Sequence, residues 1–281
     1  MKTERYPDVV NFHFTDVCNY HCSYCFVNKK DNFTLCLREI SRCLRNIKGY
    51  FIETNGGQGR INLVGGEPLT YPYLQDVIDM VCTFGMTCSL VTNGSLLTKD
   101  FVDRNKKKLS CIGISVDSLQ ESTNRIIGRC NAAGRTLSQS DLEQRCRWIR
   151  EAGIDLKINI CFSLLNHTED FRPFLEVVKP NRIKLFQMLI VKGINEGSMK
   201  DILSIEDFND VVHRFDGTRI FAESNELMEN SYLIVNSRGE LIGKENGAER
   251  IIGSLFETSF KDLVDQSGIV LARFFQRYAK N

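Results

Sequence analysis

Residues 14–27, FTDVCNYHCSYCFV, place Cys18, Cys22 and Cys25 within eight positions, with no fourth cysteine close behind. A structural zinc site takes four ligands, usually as two pairs, so a lone C-x3-C-x2-C fits it poorly. His21 lies inside the motif, but its closeness to Cys18 and Cys22 makes tetrahedral closure from so short a segment awkward. An iron–sulfur cube takes one ligand per iron, so three thiolates leave one iron open to a substrate or cofactor.

The flanks of the motif set the fold. Residues 9–14, just before it, form an apolar run with strand character. After it, Phe33, Leu37, Ile40, Leu44, Ile47 and Phe51 recur at steps of four and three, which predicts one buried helical stripe. The alternation continues with strand patterns at 60–64, 87–92, 110–116, 154–161 and 182–188. Helical patterns lie near 71–84, 98–107, 138–152, 168–177 and 204–215. Six βα units in series predict an α/β fold with a parallel sheet and right-handed crossovers, either doubly wound or a full or partial barrel. The cysteines then follow the first strand, at the carboxyl edge where barrel active sites are built. Residues 223–246 read as a long loop around a hairpin centred on SYLIVNSRGELIG, residues 231–243.

The strands depart from an ordinary packed barrel, in which both faces are apolar. Every second residue is polar: Asn11 and His13, Arg60 and Asn62, Ser115 and Asp117, Lys157 and Asn159, Arg182 and Lys184. The opposite faces carry residues such as Phe12, Ile61, Leu63, Ile112, Ile114, Ile158, Ile160 and Leu185. Interior charges are costly unless paired, so Arg60, Lys157, Arg182 and Lys184 on one phase predict an anionic ligand in an open cavity.

Composition narrows the classes. With 281 residues, 42% hydrophobic and 25% charged, the chain fits one soluble domain, 1–281. A net charge of +1 gives no field to recruit nucleic acid or an anionic membrane. Lys106, Lys107 and Lys108 form the only dense basic run. The start has no apolar core of a signal peptide, and no apolar run approaches the ~18 residues of a membrane span, so a cytoplasmic protein is expected. The other eight of the eleven cysteines are expected to be reduced packing residues.

C-x3-C-x2-C with Tyr24 before the last cysteine resembles the radical S-adenosylmethionine (radical SAM) superfamily. Further motifs follow in order: GGEP at 65–68 after the second strand, TNGS at 92–95 after the third, and Ser115 and Asp117 ending the fourth. The segments VNFHFTDVCNYHCSYCF, RINLVGGEP, LVTNGSLL, IGISVDSLQESTNRIIGR, LKIN, RIKLFQMLIVKGINE and NSYLIV are similar to the viperin family, from about residue 10 to at least 263.

That resemblance implies a partial (β/α)6 barrel over about 8–216, with a C-terminal extension, about 217–281, closing over the substrate. It implies a [4Fe-4S] cluster on Cys18, Cys22 and Cys25, and S-adenosylmethionine held by Tyr24, Gly65, Gly66, Glu67, Pro68, Asn93, Ser115 and Asp117. A ribonucleoside triphosphate of cytidine, uridine or guanosine, with magnesium, would meet Arg60, Arg129, Lys157, Asn159, Arg182, Lys184, Tyr232 and Arg250. The implied reaction gives a 3′-deoxy-3′,4′-didehydro, chain-terminating nucleotide for antiviral defence, with electrons from a reductase or flavodoxin-type donor. Lys157, Lys184, Tyr232 and His13 are the candidate proton donors.

The chain departs from animal viperins in having Arg60 for a lysine and Val64 for a serine, and in lacking their amphipathic N-terminal helix and tryptophan-ended C-terminus. A free, prokaryotic-type protein is therefore expected. Another radical SAM reaction, a non-catalytic zinc-binding module and a nucleotide sensor without turnover are the alternatives.

Overall fold

The computed structural model describes residues 6–27, 32–215, 220–245 and 247–278. In chain order the elements begin with β1 (Val9–Thr15), α1 (Leu37–Asn55), β2 (Arg60–Gly65), α2 (Leu74–Thr83), β3 (Thr87–Thr92), α3 (Lys99–Asn105) and β4 (Leu109–Ser115). They continue with α4 (Glu121–Ile127), α5 (Gln139–Glu151), β5 (Asp155–Phe162), α6 (Arg172–Val178), β6 (Arg182–Gln187), α7 (Ile205–His213) and β7 (Ile220–Glu223). The C-terminal elements are α8 (Asn225–Met228), β8 (Leu233–Val235), β9 (Glu240–Glu245), β10 (Ala248–Ser254), α9 (Phe260–Gln266) and α10 (Leu271–Tyr278). All six expected strands are present, within one residue at each end. The chain forms two compact units: Met1–Val17 with Lys29–Leu90 and Leu227–Asn281, and Cys18–Asn28 with Val91–Glu226. The extension boundary expected near 216 lies outside the described residues.

In the first unit β1 pairs in parallel with β2 and β8, and β2 with β3. The expected hairpin is β8 and β9, and β10 adds a further antiparallel strand. Helix α1 buries Ile40, Cys43, Leu44, Ile47, Tyr50 and Phe51, each such burial contributing roughly 1.5–3 kcal/mol. Phe33 does not join that stripe. Leu35 N donates to Phe14 O at 3.0 Å and Asp16 N to Phe33 O at 2.8 Å, so 33–35 lie extended beside β1. The helix starts after Cys36, whose amide donates to Glu39 Oε2 at 2.8 Å. It stops at Gly56, where φ of 60° closes the helix in the left-handed region. Asn46 on α1 anchors the C-terminal segment, donating to Leu255 O and Thr258 O at 2.8 Å and accepting from Phe260 N at 2.7 Å.

In the second unit β4, β5, β6 and β7 are parallel neighbours in that order. On β5, Leu156, Ile158, Ile160 and Phe162 are buried and the alternate residues are not, the period of two that the sequence shows. Helix α4 gives little sequence signal because it has only two turns and buries only Asn124 and Ile127. Residues 223–246 hold more order than a loop: α8, β8 and β9 occupy most of that stretch.

Candidate active site

In the first unit the GGEP turn is tied to the residues that lead into the cysteines. Gly66 N donates to Thr15 O at 2.7 Å and Glu67 N to Val17 O at 2.8 Å. A β-carbon at Gly66 would stand 2.1 Å from Val17 O, and one at Gly65 would stand 2.4 Å from Thr15 O. Gly65 also has φ of +124°, so both positions require glycine. Glu67 is buried and accepts from Leu69 N at 3.1 Å, shaping the short 3-10 turn that Pro68 begins.

On β1 and β2 the polar phase forms a ladder. Asn62 donates to Asn11 Oδ1 at 2.7 Å, and Ser89 Oγ donates to Asn62 Oδ1 at 3.0 Å. Arg60 is the next residue of that phase on β2, in register with Val9 and Thr87. Burial pushes the His13 imidazole down to about 4, so near pH 7 it is neutral and lacks the imidazolium proton that an acid step would use. Tyr232 is half-buried beneath the guanidinium of Arg277, which also bonds Ser231. Arg250 is exposed on β10, with Nη2 at 3.5 Å from the carbonyls of Gln266 and Ser267.

The second unit carries the cysteine loop, and its main chain is fixed. His21 N donates to Gly128 O at 3.1 Å and Ser23 N to Ile127 O at 2.8 Å. Gly128 has φ of +83°, and a β-carbon there would stand 2.4 Å from His21 O. The glycine of IIGR thus seats the loop. Cys18, Cys22 and Cys25 are free thiols, each partly exposed, and Cys18 Sγ accepts from Tyr20 N at 3.4 Å. Tyr24 turns away from solvent, buried with Ile127 and Met188, while its carbonyl accepts from Asn195 at 2.9 Å.

The TNGS turn closes onto the same loop. Asn93 donates to Asn19 Oδ1 at 2.9 Å, Asn19 donates to Ser95 Oγ at 2.8 Å, and Ser95 Oγ donates back to Asn93 Oδ1 at 2.6 Å. The pairing of Asn19 with Ser95, 76 residues apart, escapes a sequence reading because only the fold brings them together.

After β4, Asp117 pairs with Arg129 at 2.7 Å and accepts from Cys161 N at 2.9 Å. Arg129 also donates to Ser115 O at 2.6 Å. Burial works against the guanidinium charge, but the Asp117 carboxylate outweighs it and holds Arg129 above its ordinary pKa. This pair sits at the carboxyl ends of β4 and β5.

The polar face of this sheet is continuous. Gly113 registers with Lys157, Ser115 with Asn159, Lys157 with Arg182, Asn159 with Lys184, and Lys184 with Phe221. Arg182 stacks its guanidinium 4.1 Å from the centre of the Phe221 ring. Lys184 has found a carboxylate of its own, Glu223 Oε1, at 2.5 Å. Of the four cations expected to await an anion, Lys184 is thus already balanced. Glu223 gave no signal, standing where the pattern reads as the start of a loop.

Among the described residues no group of three or more His, Cys, Asp or Glu side chains is gathered closely enough to hold a metal ion, so the fit of a cluster rests on the chemistry of the donor set. Three reduced thiols share one pinned loop, and among the described residues the buried Tyr24 Oη and Asn159 Oδ1 have no hydrogen-bond partner. Buried orphan polar atoms are rare in native folds, and a bound ligand is one means of satisfying them.

Comparison with known proteins agrees. Residues 12–178 match the radical SAM superfamily model. The chain is 31% identical over 277 residues to an S-adenosylmethionine-dependent nucleotide dehydratase of Flammeovirga pacifica, covering 95% of this chain and 93% of that protein. It is 32% identical over 273 residues to one from a Thermoplasmatales archaeon (strain ISO4-H5), covering 96% and 94%. With the Danio rerio protein of the same name it shares 31% over 287 residues, 98% of this chain and 77% of that protein. Among solved structures, native anSMEcpe with bound AdoMet and a peptide aligns at a TM-score of 0.71 and 13% identity, covering 97% of this chain and 88% of that one. At that identity the likeness carries the α/β fold of radical SAM enzymes alone. The chain belongs to the radical SAM superfamily and, within it, to the S-adenosylmethionine-dependent nucleotide dehydratases, the viperin family.

Proposed function

We propose that this enzyme dehydrates a ribonucleoside triphosphate of cytidine, uridine or guanosine to its 3′-deoxy-3′,4′-didehydro analogue, as a cytoplasmic antiviral defence against phage. The observation that carries this reading is the polar face of β5 and β6. Lys157 and Arg182 stand there in register, one step from Asn159 and Lys184, on the unit that holds the cysteine loop. A triphosphate, with or without magnesium, is an anion that such guanidinium and ammonium groups bind through charge-assisted hydrogen bonds.

Cys18, Cys22 and Cys25 would hold the cluster, which with S-adenosylmethionine would supply a 5′-deoxyadenosyl radical able to take the ribose 4′ hydrogen; release of the 3′ hydroxyl as water would then need one proton and a second electron. The chain's own work is to bind, orient and exclude water. Gly65, Gly66, Glu67, Pro68, Tyr24, Asn93, Ser115 and Asp117 are assigned to the cofactor. Arg60, Arg129, Lys157, Asn159, Arg182, Lys184, Tyr232 and Arg250 are assigned to the nucleotide. Lys157, Lys184 and Tyr232 are the candidate acids; His13 leaves that set because burial keeps it neutral. A reductase or flavodoxin-type protein provides the electrons.

In the assay the anaerobically reconstituted enzyme receives S-adenosylmethionine, dithionite and an equimolar mixture of the four ribonucleoside triphosphates. Mass spectrometry is expected to find 5′-deoxyadenosine and one triphosphate lighter by a water. 5′-Deoxyadenosine released equally with and without nucleotide, and no lighter triphosphate, would overturn the reading.

A further inference from the structure

We propose that Glu223, the last residue of β7, is a positioning residue that fixes the Lys184 ammonium of β6, committing Lys184 to the ribose hydroxyl rather than to the phosphates. This rests on the dehydratase reading above. The two side chains are 6% and 2% exposed, and Nζ lies 2.5 Å from Oε1. Charge that a buried carboxylate already balances adds little net attraction for a triphosphate.

Position argues the same way. Lys184 stands one register step nearer the carboxyl edge than the Lys157–Arg182 pair. Its register partner is Asn159, whose Oδ1 is buried with no hydrogen-bond partner among the described residues. Phosphate oxygens at neutral pH offer acceptors, so they leave an orphan acceptor unsatisfied. A hydroxyl satisfies both groups, donating to Asn159 Oδ1 and accepting from Lys184 Nζ.

From that pose Lys184 can hand a proton to the 3′ oxygen as the C3′–O bond breaks. The oxygen keeps the bonding pair and leaves as water, and the N–H pair stays on the amine, which takes a proton back from solvent. The positive charge left on the sugar radical is discharged by one electron from the same low-potential donor, dithionite in the assay.

The test compares the reconstituted full chain with Glu223→Gln and Glu223→Asp, using whichever triphosphate the unaltered enzyme converts. Two quantities are read: the triphosphate Kd, and the 5′-deoxyadenosine formed per dehydrated nucleotide. Glu223→Gln is expected to raise that ratio about fivefold or more while Kd moves less than about threefold, and Glu223→Asp to restore coupling in part. An unchanged ratio in Glu223→Gln, or in Glu223→Asp an affinity loss with coupling intact, would overturn the inference. If Glu223→Gln does not load iron, Glu223→Asp alone decides: a raised ratio supports the proposal and an unchanged one overturns it. Failure of the unaltered enzyme to convert any triphosphate would instead overturn the dehydratase reading itself.

Discussion

Gly113 on β4 lies under the side chain of Lys157 on β5, so that a β-carbon at 113 would stand 2.6 Å from Lys157 Cε and 3.3 Å from its Nζ. The nearest obstacle is the far end of a flexible side chain, which can move aside, while Val91 Cγ2 at 3.3 Å must give by a few tenths of an ångström. Gly113→Ala should therefore fold, at a cost of about 1–3 kcal/mol, and displace the ammonium from the polar face. The expected result in steady-state kinetics is a triphosphate KM raised about tenfold, with kcat changed less than about threefold.

The cysteine loop depends on Gly128 in the same steric sense, but here the obstacle is backbone. With φ of +83° and His21 O 2.4 Å from the β-carbon position, Gly128→Ala cannot keep the two hydrogen bonds that seat the loop. Iron content per chain should fall by about half or more, with circular dichroism unchanged, because the strain is local. Full iron loading in that variant would mean the loop needs no such seat.

Breaking the Asp117–Arg129 pair leaves a buried guanidinium uncompensated. Asp117→Asn should cost about 3–5 kcal/mol in denaturant unfolding. A double variant, Asp117→Asn with Arg129→Leu, should recover part of that loss, since no unpaired charge is then buried. Equal losses in the single and double variants would show that the pair contributes nothing beyond its separate hydrogen bonds.

His13 makes stability depend on pH. Its folded-state value is about 4, against 6.5 for an unperturbed imidazole, so between those limits the unfolded chain takes up a proton that the folded chain refuses. Stability should fall as pH drops from about 6.5 to about 4, by on the order of 3 kcal/mol. His13→Gln should flatten that slope in denaturant titrations at successive pH values.

The sequence carries the βα order because strand and helix periods differ and the six apolar runs are long enough to show theirs. It carries the polar phase of the strands for the same reason: Lys157, Asn159, Arg182 and Lys184 alternate with buried residues, and the register brings them side by side. Partners far apart in the chain are not visible in such patterns. Glu223 is 39 residues from Lys184, and Asn19 is 74 from Asn93. The extended course of 33–35 is hidden too, because Phe33 fits the helical period while the hydrogen bonds of Leu35 and Asp16 hold the segment beside β1. β7, four residues long, has too few residues to reveal a period at all.

If the enzyme abstracts the ribose 4′ hydrogen, that hydrogen must arrive on 5′-deoxyadenosine. The enzyme would be given the triphosphate it converts, carrying deuterium at C4′, and the 5′-deoxyadenosine weighed. The expected result is 5′-deoxyadenosine with one deuterium and a dehydrated nucleotide with none. Unlabelled 5′-deoxyadenosine formed alongside that product, or label arriving only when deuterium is placed at another ribose carbon, would contradict it.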